Sequence, residues 1–355
     1  MSFPEFDPGK RGILFFSRGR GRGHAIPDSA IVGELQKLRD DVDVRFVSYG
    51  TGARTLRELH HSLIDLGLPD DNALFDTVIL ANKVTGWLQP QLVVAHEEFA
   101  ALPAAKTFDR EVLFLTDWFA EETDLRMGML RFADQVLFLD QQGIYNEPAC
   151  VRGRVEYLGP IVRDLHYLRN DGQRARAQLG VSADAFVVGV FPGSPPESRE
   201  PIADLVLNAM QYLPPNTVLH WVGGSDADLV ARRVAAERNF HFCPRTEDIG
   251  QYYVACDVAV TKATRKTLFE LEYLGIPSVS LTHGYNRIDD GRARSLENTK
   301  LVEAKAIRPQ ELATLLLSQA AIEPAPSSFE PGAAAMRAAR YIAAHLEKVV
   351  DTAVV

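Results

Sequence analysis

The sequence predicts an α/β protein built from two Rossmann-like halves. Short apolar runs of strand type alternate with helical stretches along most of the chain. One run in each half ends in a glycine-containing loop. The length of 355 residues suits two domains at ~150 residues each. Strands interleaved with helices imply right-handed βαβ crossovers and parallel sheets.

The elements follow in order. Gly12–Ser17 (GILFFS) reads as a buried parallel strand running into glycines. Ile31, Leu35 and Leu38 recur at helical spacing within Ala25–Leu38, and Pro27 stands where a first turn tolerates it. Val42–Ser48 alternates as a strand does. Further strands are expected at Leu92–Ala95, Val112–Thr116 and Gln135–Leu139, and helices at Thr51–Leu59, His96–Leu102 and Ala120–Ala133. The pattern pauses at the Gly-Pro step of Tyr157–Arg163, before the polar stretch Arg169–Arg176. It restarts with the strand Phe186–Phe191. Ala203–Tyr212 reads as helix, Thr217–Val222 as strand, Leu229–Glu237 as helix and Phe240–Cys243 as a short strand. Ile249–Ala255 then reads as helix, Val258–Thr261 as strand, Thr267–Leu274 as helix and Ser278–Leu281 as strand. The Pro-rich Glu323–Pro331 precedes a terminal helix, Ala333–Val349, which a linker of this length lets cross back to the first domain. The domains expected are 1–162, 163–325 and the C-terminal helix 326–355.

Composition excludes several classes. The chain is 46% hydrophobic and 24% charged, which is globular and not disordered. Its net charge of −9 argues against a general nucleic-acid coat or a polybasic membrane protein. No apolar stretch approaches the length of a transmembrane helix. The acidic N-terminus lacks the apolar core of a secretory signal. Cys150, Cys243 and Cys256 form no paired framework, and their spacing suits core filling in a reducing cytoplasm.

The candidate chemistry lies at strand ends. The loop Arg18-Gly19-Arg20-Gly21-Arg22-Gly23 admits a ligand close to the backbone, and the next helix offers N–H groups. Its spacing is not that of a dinucleotide loop, and no acidic residue closes the second strand to hold a ribose. The three arginines read either as a solvated face or as partners for a phosphate. His24, at the mouth of the loop, can accept a proton near neutral pH. Asp117, just past a strand of the same sheet, can orient His24, act as the base itself, or cap the following helix. Asp28, one turn after His24, is a weaker candidate. The richest segment is Cys256–Asp290. There a strand meets the polar loop Lys262–Lys266, and a helix carries Glu270. A helix N-terminus beside Lys and Arg is a seat for a diphosphate. A carboxylate one turn on can accept both hydroxyls of a ribose, or simply pair with Lys266. The acidic pairs Asp40-Asp41, Asp70-Asp71 and Asp289-Asp290 read as solvated, and no metal site is expected.

At these residues the chain resembles GT-B fold glycosyltransferases, most closely the group of the lipid II N-acetylglucosaminyltransferase and related UDP-sugar enzymes. The resemblance rests on GRGH, the YLGPI linker, FPGS, HWVGG and the Glu270 segment, in that order across nearly the whole chain. It implies two Rossmann-like domains facing a central cleft, and transfer of a hexose or N-acetylhexosamine from a UDP-linked donor to an acceptor the sequence does not identify. A UDP-sugar 2-epimerase or hydrolase, or a non-catalytic module binding a nucleotide sugar, are the alternatives on the same scaffold. The resemblance implies that Glu270 holds the donor ribose, and that Gly193 and Ser194 face its phosphates beside Thr264, Arg265, Lys266 and Thr267. Phe242 and Cys243 would then flank the nucleobase, while His24 faces the reacting centre. The stretch after the last strand departs from the group's pattern, so Asn286 or Asp289 would substitute at the sugar. Inversion without a metal or other cofactor is implied, as is a cytoplasmic protein able to touch a membrane surface without crossing it.

Overall fold

The computed structural model describes the whole chain except residues 1, 2, 4, 73, 120–123, 164, 169, 194–201, 224–229, 231–238, 244, 245, 247, 263, 264, 285, 286, 326, 328, 331, 354 and 355. Two compact units result: Met1–Arg163 with Gly332–Val355, and Asp164–Pro331.

The first unit runs β1 (Arg11–Ser17), α1 (Ala25–Leu38), β2 (Val42–Ser48), α2 (Gly50–Glu58), β3 (Leu63–Asp65), α3 (Leu74–Leu88), β4 (Leu92–His96), α4 (Ala101–Thr107), β5 (Glu111–Thr116), α5 (Leu125–Met129), β6 (Gln135–Phe138) and β7 (Val155–Tyr157). Its seven strands are ordered β3-β2-β1-β4-β5-β6-β7, every pair parallel. Alternation along β1 divides the core between the two faces of the sheet. Leu14 and Phe16 join the cluster on one side, Ile13 and Phe15 that on the other.

The second unit runs α6 (Gly172–Gln178), β8 (Phe186–Phe191), α7 (Ala203–Ala209), β9 (Thr217–Val222), β10 (Phe240–Cys243), α8 (Ile249–Ala255), β11 (Val258–Lys262), α9 (Arg265–Leu274), β12 (Ser278–Thr282), α10 (Arg287–Arg294), β13 (Thr299–Glu303) and α11 (Pro309–Ala320). Six parallel strands are ordered β10-β9-β8-β11-β12-β13. In both sheets the chain leaves its first strand in one direction and later returns to that strand's other side. The reversal falls between β1 and β4 in one sheet and between β8 and β11 in the other. Ligands of open α/β sheets bind outside the strand ends at such a point.

The last helix, α12 (Ala333–Ala353), belongs to the first unit. Ala335, Ala338, Ala339, Ile342 and Leu346 form its apolar stripe and pack with Ile31 and Leu35 of α1. Arg337 donates to the carbonyl of Leu158, at 2.9 Å from Nε, and Arg39 pairs with Glu347 at 2.7 Å. No helix among the described residues is long and apolar enough to cross a membrane.

Two expectations need correction. The helix expected at His96–Leu102 begins at Ala101, because His96 completes β4 and Glu97 takes the left-handed φ of +49°. The helix expected at Ala120–Ala133 is the short α5 followed by a 3-10 turn at Leu130–Phe132, with 120–123 outside the described residues. In α6 the buried Arg176 donates to the carbonyls of Ala255, Ala183 and Ala185 and pairs with Asp257 at 2.8 Å. The helix expected at Leu229–Glu237 lies, apart from Val230, outside the described residues.

Candidate active site

Between β1 and α1 the glycine loop is held close to its neighbours. Gly52 donates its N–H to the carbonyl of Gly19 at 2.7 Å, and a Cβ on Gly19 would strike the ring and carbonyl of Tyr49. Asp70 fastens the same loop. Its carboxylate accepts from the backbone N–H and hydroxyl of Thr51 at 2.7 and 2.8 Å and from Gly21 N at 3.4 Å, while its carbonyl accepts from Arg20 Nε at 3.1 Å. Asp70 is therefore a structural strap and not a solvated carboxylate. Asp290 departs from the solvated reading too, being 4% exposed. The side chains of the three loop arginines engage the protein itself. Arg18 reaches Glu97, Arg20 the Asp70 carbonyl, and Arg22 lies 3.6 Å from Glu58.

His24 caps the start of α1 with helical backbone angles and no side-chain capping bond. Its Nε2 lies 3.0 Å from Oε2 of Glu97, a residue that no motif in the sequence marks. Glu97 follows β4, so the β1–β4 switch point brings these two residues together across 73 positions of chain. The same Glu97 oxygen takes Arg18 Nη1 at 3.3 Å, and its other oxygen lies 3.4 Å from the hydroxyl of Thr116. Burial alone would raise the Glu97 carboxyl, but His24, His96 and Arg18 together hold it well below the usual carboxylate range. Behind His24, His96 Nδ1 meets Asp28 Oδ1 at 2.5 Å, both side chains wholly buried. Asp28 thus faces His96. Asp117, 7% exposed, stands past the end of β5 at the same sheet edge.

Glu98 is equally buried yet behaves oppositely. Burial pushes its carboxyl up to about 7, against the pull of Arg18, the Ala100 N–H and the Tyr49 hydroxyl. Tyr49 is raised in turn, by its own burial and by Glu98. His24, His96 and Glu97 also bring ligand-type atoms within 4.8 Å of one another. The Arg18 guanidinium on the same Glu97 oxygen makes this a proton- and charge-sharing cluster, ill suited to an added cation.

At the second switch point, β8 runs into Gly193, whose φ is +76°, and β11 ends in the buried Lys262. α9 follows with Arg265, Lys266 and Thr267 half-buried in its first turn. Glu270 is 8% exposed and accepts from the Tyr253 hydroxyl at 3.1 Å, so it is not a solvated carboxylate. Tyr253 in turn packs edge-on to Phe191 at the end of β8. Phe242 and Cys243 end the edge strand β10, where the Cys243 carbonyl accepts from Gly223 N at 2.8 Å. Ser194, Thr264 and Asn286 lie outside the described residues, as does the side chain of Asp289.

Two parallel sheets, each bearing a glycine loop and a buried carboxylate at its switch point, are the α/β architecture of GT-B glycosyltransferases, and solved structures bear out the fold. The glycosyltransferase of kitacinnamycin covers 96% of the chain and 100% of its own length, at TM-score 0.68 and 16% identity. MurG of Acinetobacter baumannii covers 95% and 99% at TM-score 0.64 and 15% identity. The UDP-GlcNAc 2-epimerase of Neisseria meningitidis, bound to UDP-GlcNAc, does so at TM-score 0.64, 15% identity, and 95% and 100% coverage. In sequence the chain is similar to UDP-N-acetylglucosamine–N-acetylmuramyl-(pentapeptide) pyrophosphoryl-undecaprenol N-acetylglucosamine transferases. That of Acetivibrio thermocellus is 22% identical over 336 residues, 85% of this chain and 89% of the relative. That of Chlorobium phaeobacteroides is 25% identical over 309 residues, 80% and 82%. No protein-family model matches the chain.

Proposed function

We propose that this chain is a glycosyltransferase that moves a sugar, an N-acetylhexosamine in the first instance, from a UDP-linked donor to an acceptor hydroxyl. The observation that carries the reading is His24 held by the buried Glu97 at the switch point of the first sheet. The relatives named as UDP-N-acetylglucosamine transferases support the donor and the reaction class. In the mechanism, Glu97 holds the His24 ring through Nε2, and His24 takes the acceptor proton. The acceptor oxygen bonds to the anomeric carbon as the bond to the UDP oxygen breaks, and the configuration inverts. Glu97 orients the ring and balances the imidazolium that forms. In the second unit Glu270 accepts the ribose hydroxyls. Gly193 and the first turn of α9, with Arg265, Lys266 and Thr267, receive the diphosphate.

The acceptor is lipid-linked in this reading. α3 exposes Phe75 (71%), Ile79 and Trp87 (56%) at i, i+4 and i+12, with the exposed Lys83 on the same line. Such a stripe suits contact with acyl chains at a membrane surface. The test is GlcNAc transfer from UDP-GlcNAc to a polyprenyl-diphosphate-linked N-acetylmuramoyl acceptor, with UDP release as readout. Failure of uridine nucleotides to raise the melting temperature of folded protein overturns the reading. Conversion of UDP-GlcNAc to its 2-epimer without acceptor replaces it with the epimerase.

A further inference from the structure

Two imidazoles touch at the first switch point. The His24 and His96 ring centroids are 4.7 Å apart and their planes meet at 77°. Each ring has its own carboxylate, Glu97 for His24 and Asp28 for His96. The two carboxylates differ in their other company. Glu97 also has Arg18 and Thr116. Asp28 is 0% exposed, and its second oxygen is buried without a hydrogen-bond partner. Its charge is therefore answered by His96 at 2.5 Å, and a buried charge with one partner calls for that partner to be charged.

The local charge balance agrees. Asp28 and Glu97 carry two negative charges and Arg18 one positive, so a single imidazolium neutralises the cluster. A second would call for a further carboxylate, such as that of Asp117 at the same edge. The other titratable groups at this edge are Tyr49, past β2, Glu98, past β4, and Asp117, past β5. Burial keeps Tyr49 neutral, and Glu98 becomes charged only near and above neutrality. Arg18 beside Glu97 disfavours a further cation on His24, whereas His96 has Asp28 to itself.

We infer that Asp28 and His96 are positioning residues for His24: His96 carries the proton as a buried imidazolium, and its charge keeps the His24 ring neutral and ready to accept one. Only the consequence for transfer rests on the proposed function. The charge distribution does not.

The test uses the full chain labelled with 15N-histidine, followed by long-range 1H–15N spectra from about pH 5 to about 9. H24Q and H96Q assign the two rings. In the wild type, His96 shows both nitrogens protonated near neutral pH while His24 shows a neutral ring protonated at Nε2. In D28N, His96 becomes neutral, and the His24 midpoint rises by about one unit, a tenfold gain in proton affinity. D28E restores the wild-type pattern. A neutral His96 in the folded wild type overturns the inference, as does a His24 midpoint unmoved in D28N. If D28N does not fold, H96Q serves instead. Loss of the neighbouring charge raises the His24 midpoint there too, and an unmoved midpoint again overturns the inference. None of these readings needs transfer to occur, so failure of the proposed reaction leaves them interpretable.

Discussion

The two switch points share an architecture and differ in what surrounds their carboxylates. Glu97 and Glu270 are 5% and 8% exposed, each at a carboxyl edge of a parallel sheet. Around Glu97 stand an arginine and two imidazoles, which hold its proton off. Glu270 is bonded by a neutral phenol, the Tyr253 hydroxyl. A carboxylate among cations orients and charges its neighbours. One that already accepts from a neutral hydroxyl does the same chemistry toward the hydroxyls of a sugar. In the proposed reaction the first edge would handle the proton, and Glu270 at the second would hold the ribose hydroxyls.

The sharpest way to break that contrast is to remove the base. H24Q should lower kcat for transfer by ~10³-fold, the range for loss of general-base catalysis, and leave stabilisation by UDP intact. UDP release under saturating donor measures it. Retention of more than about a tenth of wild-type kcat would place the proton transfer elsewhere.

A second contrast lies inside the first edge, between adjacent residues. The Glu97 carboxyl is lowered, so it stabilises the fold at neutral pH and loses that contribution only on acidification below the usual carboxylate range. Glu98 is raised from 4.5 to about 7. In that window the folded chain keeps a proton that the unfolded chain releases, so stability falls as pH rises through it and levels off above. The amplitude is about 3 kcal/mol. Urea unfolding of wild type and E98Q near pH 5 and near pH 8 should show the fall in wild type alone. Equal pH dependence in both would mean that Glu98 ionises freely.

These carboxylates also mark where the sequence was legible. Strand–glycine–helix order was readable because parallel strands are apolar on both faces and glycine is required where Gly19 meets Tyr49. His24 and Glu270 stood out because each follows such a loop. Glu97 did not, since HEEFAALPAA reads locally as a helix start. What excludes a helix there is the tertiary pairing of β4 with β1 and β5, which carries His96 into the sheet and turns the chain at Glu97. Three ionisable residues directly behind an apolar strand were the available signal. The sequence pattern does not mark β13, α11 or α3; the buried face of α3 is Thr77, Ala81, Val84, Thr85 and Leu88, with two threonines diluting the apolar stripe. Arg176 was hidden by the polarity of its neighbours, although its guanidinium fastens α6 to three carbonyls.

The second edge is tested by E270A. If Glu270 holds ribose hydroxyls, UDP affinity falls by about 150-fold or more, the worth of two hydrogen bonds to a charged group at ~1.5 kcal/mol each. Calorimetric titration with UDP reads this, and kcat at saturating donor should change far less than in H24Q. Comparable losses in kcat from both variants would erase the division of labour between the two edges.

The smallest expected change in folding energy comes from outside both edges and separates the units by their surfaces. In the first unit α3 lines up Phe75, Ile79 and Trp87 in solvent, while in the second α11 exposes Leu317. Exposed side chains contribute little to folding, so the double variant F75S/W87S should keep its stability within about 0.5 kcal/mol. Its pelleting with vesicles of anionic lipid should nevertheless drop several-fold, because each aromatic ring withdrawn from the interface forfeits its own buried apolar area. L317S should leave pelleting unchanged. Equal loss from both would make the association a general property of the surface, and no loss from either would detach α3 from the lipid-linked acceptor.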